Sequence, residues 1–278
     1  MSERVNHDQE LLSKLVPAYA PGCKRLTPAP GYLEAVAIPK VTYVMDSIVR
    51  ATTSGLVTAD GQEHKVDVII AATGFPEFTV PRYPIIDQDS VTLESLWSPH
   101  GKIGYPKSYF GVMTPGFPNM FFVLQVQGTS LGGTVPVQCE QTATYIARCI
   151  RKIQSQSYSA LEPSQDATDE FDAVVNGFFA DKVSTDSCSS WWKLGKGSTR
   201  VTVSWPGTGH HKWDISREPR WEDFVFHRQR GALGNRFEYF GNGYTRKEVD
   251  GCQEDLTRYL RPRGKVDLRT LHESWTET

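Results

Sequence analysis

The basic pair Lys24-Arg25, which follows Gly22 and Cys23, is the first group in this sequence whose chemistry suits an active site. A guanidinium is planar and permanently charged, so Arg25 can stabilise an oxyanion without losing its proton. Taken in isolation, a Lys-Arg pair is more often an ordinary pair of surface charges, and this alternative stays open.

Two adjacent histidines, His210 and His211, form the second candidate and lie near Trp205 and Trp213. Histidine titrates near neutral pH, which suits general acid–base catalysis. We place the pair in a strand, where neighbouring side chains point to opposite faces, so the two rings cannot easily share a metal ion. His210 is therefore a candidate catalytic residue, ordinary packing is the alternative, and no metal site is predicted.

Glycine-rich turns that bind a dinucleotide pyrophosphate expose backbone N–H groups at a helix N-terminus. Gly-x-Gly runs occur at residues 195–197, 207–209 and 241–243. None of them has the third glycine of the fingerprint, and we predict that none joins a strand to a helix. Each run is therefore predicted to be an ordinary turn.

The run Val66–Phe75, with the sequence Val-Asp-Val-Ile-Ile-Ala-Ala-Thr-Gly-Phe, is the most informative stretch of the chain. A nearly continuous apolar run is typical of a parallel strand buried on both faces, so residues 66–72 are predicted to form one. The small residues Thr73 and Gly74 would then let a cofactor approach the backbone closely. Any buried strand that ends in a glycine turn would give the same pattern.

The composition is that of an ordinary globular protein, with 278 residues, 39% hydrophobic, 22% charged and a net charge of −2. The sequence has no long basic run that would indicate nucleic-acid binding, and no apolar stretch approaches the roughly 20 residues of a membrane span. The polar N-terminus does not resemble a secretory signal, so a cytoplasmic protein is expected. The cysteines are scattered along the chain, and we expect them to be reduced, mostly buried thiols. They are Cys23, Cys139, Cys149, Cys188 and Cys252.

Hydrophobic periodicity and turn residues predict the elements that must position these groups. Helices are expected at 8–16, 32–37, 134–154 and 168–183, the last capped by Thr168, and a charged, partly helical tail at 245–278. Strands are expected at 41–45, 48–52, 56–58, 64–71 and 120–124. Residues 76–118 are predicted to be mostly loop, and residues 191–221 to hold strands and loops.

A series of short motifs follows this framework, and their order is more specific than any one of them. The motifs are Gly22-Cys23-Lys24-Arg25, Gly31-Tyr32-Leu33-Glu34-Ala35, Ala72-Thr73-Gly74-Phe75, Gly116-Phe117-Pro118-Asn119-Met120-Phe121-Phe122, Glu140-Gln141, Cys188-Ser189-Ser190-Trp191-Trp192 and Trp205-Pro206-Gly207. Together they resemble the C-terminal half of Baeyer–Villiger flavin monooxygenases, especially the fungal ones. The resemblance runs from about Leu11 to the end, without the N-terminal glycine-rich turn for FAD.

The resemblance implies descent from a flavoprotein that uses FAD and NADPH. In that family the arginine matching Arg25 lies over the flavin ring, where it stabilises the anionic peroxyflavin and the intermediate formed with the ketone. The resemblance therefore makes Arg25, with Lys24 beside it, a candidate catalytic residue. The strand that ends at Thr73 and Gly74 closes the flavin-binding sheet. These two residues are therefore candidate cofactor-binding positions.

The chain departs from the family pattern near the flavin. Gln125-Val126-Gln127-Gly128 stands where the family usually has a Gly-Pro-rich turn against the ring, and Pro76 stands where it commonly has Asp. Gln125, Gln127 and Gly128 are thus the positions expected nearest to the flavin. With the glycine-rich turn also missing, FAD and NADPH are expected to be lost or supplied with a partner chain.

These observations predict an α/β, truncated two-dinucleotide-binding flavoprotein fold. Residues 1–65 would be the end of an NADPH-type domain, residues 66–244 the second half of a FAD-type domain, and residues 245–278 a helical extension. Half of a doubly wound sheet leaves an unpaired edge and apolar faces. A homodimer or a partner chain is expected to cover them, a rearranged sheet being the alternative.

Two classes of function follow from this reading. The first is a Baeyer–Villiger-like monooxygenase of fungal secondary metabolism, which acts on a ketone-like small molecule. The second is a cofactor-independent enzyme that reuses the substrate pocket for cyclisation, isomerisation or dehydration. A catalytically inactive scaffold is a weaker third, because a fold by itself does not fix an activity.

Overall fold

Short antiparallel strands and hairpin turns build the N-terminal quarter. In this computed structural model, which describes residues 1–74, 83–124, 126–132, 134–194, 198–228 and 235–251, helices α1 (Gln9–Leu15) and α2 (Tyr32–Val36) precede the strands. Strands β1 (Ile48–Ala51), β2 (Gly55–Thr58) and β3 (Glu63–Lys65) then form an antiparallel sheet in that order. The predicted helices at 8–16 and 32–37 and strands at 48–52 and 56–58 are confirmed. The strand predicted at 41–45 is wrong.

The apolar run after β3 differs most from its prediction. Residues 66–72 form no strand, and the side chains of Val68 and Ile70 are 75% and 88% exposed. A strand buried on both faces needs a neighbour on each edge and a layer on each side, and the described residues supply neither here. The sequence pattern thus specifies a strand that the described residues do not complete.

Two long helices build the centre of the body. Helix α3 (Leu93–Trp97) and strand β4 (Thr129–Leu131) precede α4 (Val135–Ser155), which confirms the helix predicted at 134–154. Strand β5 (Tyr158–Pro163) leads into α5 (Gln165–Phe179). The predicted cap of α5 is wrong, because Ser164 Oγ accepts the N–H of Ala167 while the hydroxyl of Thr168 donates back to the carbonyl of Ser164.

The remaining elements close the body around α4 and α5. Strand β6 (Ser204–Thr208) pairs in parallel with β4 and leads into α6 (Gly209–Ile215), while β7 (Phe224–Arg228) pairs antiparallel with β5. The short helix α7 is Arg246–Val249, and 3₁₀ turns lie at Ser2–Val5, Val183–Thr185, Trp221–Asp223 and Glu238–Phe240. The strand predicted at 120–124 is wrong, since Leu124 adopts a left-handed φ of 54° that breaks an extended path.

An aromatic core lies between α4, α5, β5 and β6. Its buried members include Tyr109, Tyr145, Phe171, Val175, Trp205 and Phe224. Phe110 stacks on Tyr109 with 4.4 Å between the ring centroids and meets Trp205 edge to face. This core supports the segment that leads into α4, and that segment contains Gln127 and Gly128, two of the predicted cofactor positions.

Two of the cysteines contradict the expectation of reduced thiols. Cys23 and Cys188 form a disulfide, because the fold brings their Cα atoms to 6.2 Å, within the range that a disulfide requires. Cys149 is a buried free thiol and Cys139 a half-buried one. Cys252 and the rest of the predicted C-terminal helix lie outside the described residues. Among the described helices, none has the length and apolar character to cross a membrane.

Candidate functional site

The loop of residues 126–132 together with the first turn of α4, here called the α4 entrance, contains two of the predicted cofactor positions. A close backbone contact fixes this loop: a Cβ placed on Gly111 would lie 2.7 Å from Gly128 N and closer still to Gly128 Cα. Gly111 also has a φ of +72°, which only glycine adopts easily. Gly128 is therefore packed against protein backbone and is buried.

Gln127 points into the body. Its backbone N–H donates to Thr202 O (2.8 Å), and its side-chain Nε2 donates to Asp172 Oδ1 (2.7 Å). Its Oε1 accepts the backbone N–H of Ser108 (3.2 Å). The polar groups of this predicted cofactor position are thus already satisfied inside the protein, while Gln125 lies outside the described residues.

Asp172 is the centre of this buried polar cluster, and sequence reasoning missed it. Its carboxylate also accepts hydrogen bonds from Tyr105 Oη (3.0 Å) and Asn176 Nδ2 (3.1 Å) and pairs with Arg200 NH1 (3.3 Å). The Arg200 guanidinium lies 3.7 Å from the centre of the Tyr105 ring. The signal in the sequence was the polar spacing Thr168, Asp172, Asn176 along one stripe of α5.

An open cavity lies beside this cluster. Its volume is about 480 Å³, and its lining includes Asn176, Phe179, Thr185, Thr199 and Arg200. Desolvation by burial raises the pKa of Tyr105, and the negative charge of Asp172 adds to the shift. The cavity thus presents one guanidinium and several neutral polar groups, with Asp172 behind them.

Lys212, in α6, is a second buried charge that sequence reasoning missed. Its Nζ donates to Gly128 O (2.5 Å) and lies 3.4 Å from Thr142 Oγ1. Desolvation by burial lowers its pKa to about 8. Lys212 therefore joins α6 to the α4 entrance through a hydrogen bond, and the strength of this bond depends on whether the Lys212 amine is protonated.

The N-terminus of α4 faces outwards and is uncapped. The side chain of Thr134 makes no capping hydrogen bond, and Val135 and Val137 are exposed. Gln138 orders the preceding loop, since its Oε1 accepts the N–H of Ser130 (2.9 Å) and its Nε2 donates to Gly132 O (3.2 Å). Free N–H groups at a helix N-terminus attract negative charge, so this turn suits a carbonyl or anionic group.

The histidine pair lies on a helix, not on a strand as predicted. The run at 207–209 joins β6 to α6, contrary to the expectation that no Gly-x-Gly run links a strand to a helix. It still lacks a third glycine, and the hydroxyl of Thr208 caps the N–H of His211 (3.2 Å). Trp205 Nε1 donates to His211 Nδ1 (3.1 Å), whereas His210 is exposed.

The predicted catalytic pair lies on the surface. Lys24 and Arg25 are both exposed, and the Nζ atom of Lys24 lies 4.8 Å from the centre of the Tyr19 ring. No described residue forms a hydrogen bond or an ion pair with Arg25. The disulfide at the preceding Cys23 nevertheless joins this motif to the Cys188–Trp192 motif, 165 residues away in the sequence.

Thr73 and Gly74, the remaining predicted cofactor positions, lie in the exposed segment after β3. Gly74 has a φ of +82° and nothing within 4 Å of a Cβ placed there. Among the described residues, no hydrogen bond joins Thr73 or Gly74 to the α4 entrance. The described hydrogen bonds therefore do not link the two groups of predicted cofactor positions.

The described residues fit one edge of a FAD site and do not form a complete one. The uncapped N-terminus of α4 could receive polar atoms of a flavin ring, whereas the hydroxyl of Ser130, which has no described partner, is buried. The side chain of Gln127 and the carbonyl of Gly128 are engaged internally, and the glycine run at 207–209 leads into a helix of only seven residues. These residues alone do not fit a dinucleotide pyrophosphate.

Comparison with known proteins gives a consistent set of relatives. No protein-family model matches the chain. It is 31% identical over its whole length to the FAD-binding monooxygenase moxY of Dothistroma septosporum, covering 42% of that protein. It is 30% identical over 72% of its length to a Baeyer–Villiger monooxygenase of Pseudomonas aeruginosa, covering 37% of it.

The fold gives the same result. The structure of OTEMO in complex with FAD and NADP matches with a TM-score of 0.70 and 26% identity, over 81% of this chain and 42% of that one. The chain therefore spans about two fifths of the length of the relatives that it matches.

Proposed function

The chain is homologous to about two fifths of a FAD-binding monooxygenase, and we propose that it forms the substrate-side part of a Baeyer–Villiger-type enzyme acting on a ketone-like small molecule. One observation of the structure carries the proposal. The Cys23–Cys188 disulfide ties the motif that contains Arg25 to the motif that ends in Trp191 and Trp192, so a charged segment and an aromatic segment are anchored to each other. The proposed setting is fungal secondary metabolism, as the family resemblance implies.

Arg25 is the proposed catalytic cation of this site. A ketone oxygen gains negative charge when a nucleophile adds to its carbon, and a fixed guanidinium stabilises that charge without a proton transfer. The exposed side chain of Arg25 is free of the internal hydrogen bonds that hold Gln127, so it can turn towards a bound substrate. Lys24 adds positive charge next to it, and His210 is a proposed proton carrier at the surface of α6.

FAD and NADPH are the proposed cofactors of the complete enzyme. FAD, when bound, supplies the oxygen chemistry, and the α4 entrance is the part of this chain that would meet its ring. Since the described residues do not fit the pyrophosphate, we propose that another polypeptide segment provides that part of the site. The chain by itself is expected to bind FAD weakly.

The same segment would cover the exposed apolar run. Val68, Ile69 and Ile70 are exposed where the sequence specifies a strand buried on both faces. We propose that a strand from a partner chain or a second copy pairs here. Light scattering after size exclusion should give a mass above 31.2 kDa, and Val68→Lys should lower it. A particle of monomer mass at every concentration would contradict this proposal.

A ketone panel tests the function directly. The chain, with FAD and NADPH added, is incubated under ¹⁸O₂, and NADPH absorbance and product mass are followed together. An ester or lactone that carries one ¹⁸O atom, formed with oxidation of NADPH, supports the proposal. Ketone consumption without NADPH oxidation would contradict it.

That second outcome would support the cofactor-independent alternative, a cyclisation, isomerisation or dehydration. One observation favours this alternative, namely that the side chain of Gln127 and the carbonyl of Gly128 are engaged in hydrogen bonds within the protein. In a flavin fluorescence titration, stoichiometric micromolar binding of FAD by the chain alone would contradict this alternative.

A further inference from the structure

The disulfide between Cys23 and Cys188 has a buried ammonium group against it. The two cysteines are 0% and 5% exposed. Lys193 Nζ lies 3.5 Å from Cys23 Sγ and 3.8 Å from Cys188 Sγ, and Lys193 itself is buried. A lysine without an anionic partner rarely occupies such a position, so its surroundings need an explanation.

The other partners of Lys193 are backbone carbonyls. Its Nζ donates to Cys188 O (3.2 Å) and to Asp186 O. Among the described residues, no carboxylate lies within ion-pair distance of it. The Asp186 carboxylate interacts with the charge of Lys193 only from beyond ion-pair distance. Of the described groups in direct contact with this ammonium, the two sulfur atoms are the ones that can acquire a full negative charge, and they do so only when the disulfide is reduced.

A neighbouring lysine ammonium lowers the pKa of a thiol and stabilises its thiolate. A thiolate that is stabilised is also a better leaving group in thiol–disulfide exchange. The buried position of Lys193 strengthens the effect, because few water molecules screen the charge. The local chemistry thus favours opening of this disulfide more than an apolar environment would.

We propose that Cys23–Cys188 is a redox modification site that takes a small dithiol as its reductant. A thiolate of the dithiol attacks Sγ of Cys188, the more exposed of the two cysteine residues, and Cys23 leaves as a thiolate beside Lys193. The second thiol of the dithiol loses its proton to solvent and attacks the mixed disulfide, releasing Cys188, which takes up a proton. Two electrons pass to the protein, and the dithiol becomes a disulfide.

Opening this bond releases the segment of residues 17–31. Apart from the contacts of Cys23 itself, one hydrogen bond of the described residues joins that segment to residues 183–193, from Ala20 N to Asp186 Oδ2 (3.2 Å). A single exposed hydrogen bond contributes little net stability. The segment also contains Lys24 and Arg25, so reduction would move the proposed catalytic cation, a consequence that rests on the proposed function.

Trypsin cleavage after Lys24 and Arg25 tests release of the segment without any assay of activity. The full chain is digested with and without dithiothreitol, and the initial cleavage rate at this site is measured by mass spectrometry. Reduction is expected to raise the rate by about tenfold or more, because cleavage follows the population of the opened segment. The Cys23→Ser/Cys188→Ser double variant should cleave at the faster rate in both conditions. Equal rates for oxidised and reduced wild type would overturn the proposal.

The role of Lys193 is tested by native reduction and alkylation. Iodoacetamide should label Cys23 and Cys188 only after dithiothreitol treatment, and Lys193→Met should slow their reduction by about tenfold. Lys182→Met, at an exposed lysine of the same region, is the matched control and should reduce at the wild-type rate. If Lys193→Met does not fold, the pH dependence of Cys23 alkylation in reduced wild type replaces it. A midpoint at or above that of an ordinary thiol, about 8.5, would overturn the role of Lys193.

Discussion

Gln127 Nε2 donates a 2.7 Å hydrogen bond to Asp172 Oδ1, and both residues are buried. This contact ties the α4 entrance, where the sequence places cofactor contacts, to the middle of the core helix α5. It explains why Gln127 turns inwards: a buried carboxylate needs donors, and Gln127 is one of four side chains that supply them.

Asp172→Ala should destabilise the protein strongly. The substitution leaves Gln127, Tyr105 and Arg200 without their common acceptor, and breaking a buried pair in this way costs about 3–5 kcal/mol. Asp169→Ala, one turn earlier on α5, removes a partly exposed pair with Lys107 and should cost at most about 1 kcal/mol. Urea denaturation measures both free energies of unfolding. Equal losses would show that the buried cluster is not a special source of stability.

Gly111→Ala and Gly177→Ala should change stability in opposite directions. At Gly111 the new Cβ collides with the backbone of Gly128 at a φ of +72°, so a loss of several kcal/mol is expected, about the largest that single substitutions cause. Gly177 lies in α5 with nothing within 4 Å of a new Cβ, so alanine should gain up to about 1 kcal/mol there. Thermal unfolding measures the stability of both variants. A Gly111→Ala variant as stable as the wild type would contradict the predicted collision with Gly128.

Lys212 predicts a specific dependence of stability on pH. Its folded pKa of about 8 lies below the ordinary value of 10.5, so between these values the unfolded chain holds a proton that the folded chain has released. The free energy of unfolding should therefore rise with pH in this window, by on the order of 1–3 kcal/mol relative to Lys212→Met. Below pH 8 the difference between the two proteins should stay constant.

The control for this experiment is Lys102→Met, which replaces an exposed lysine. Its stability curve should run parallel to that of the wild type from pH 7 to 10.5. A difference between wild type and Lys212→Met that does not change with pH would show that Lys212 is not desolvated in the folded protein.

Arg25→Ala should lower turnover of the substrate of the intact enzyme by about 10²–10³-fold, because a fixed donor to a developing oxyanion is lost. Arg25→Lys keeps the charge without the planar fork, so its turnover should lie between those of the wild type and Arg25→Ala. Arg50→Ala, at an exposed arginine of β1, is the control and should retain wild-type turnover. Circular dichroism checks that each variant is folded. Wild-type turnover by folded Arg25→Ala would move the search to His210 and His211.

Local patterns in the sequence were enough to predict those helices and turns that depend on neighbouring residues alone. The apolar repeat of residues 135–155 gives α4, and Gly55 and Gly61 mark the hairpin turns of the N-terminal sheet. The motif series likewise predicted the family, which the relatives confirm, and the mixed α/β fold. Each of these inferences depends on neighbours in sequence or on an order of motifs, and a single chain contains both.

The tertiary structure decided every feature that depends on distant partners. Residues 66–72 have the composition of a strand, yet no strand forms because its neighbours are not among the described residues. Cys23 pairs with Cys188 because the fold brings together two segments 165 residues apart. Gln127 turns inwards because Asp172 is buried beside it, and Lys212 reaches Gly128 because α6 packs on the α4 entrance. Burial and pairing follow from contacts in space, which local sequence patterns do not specify.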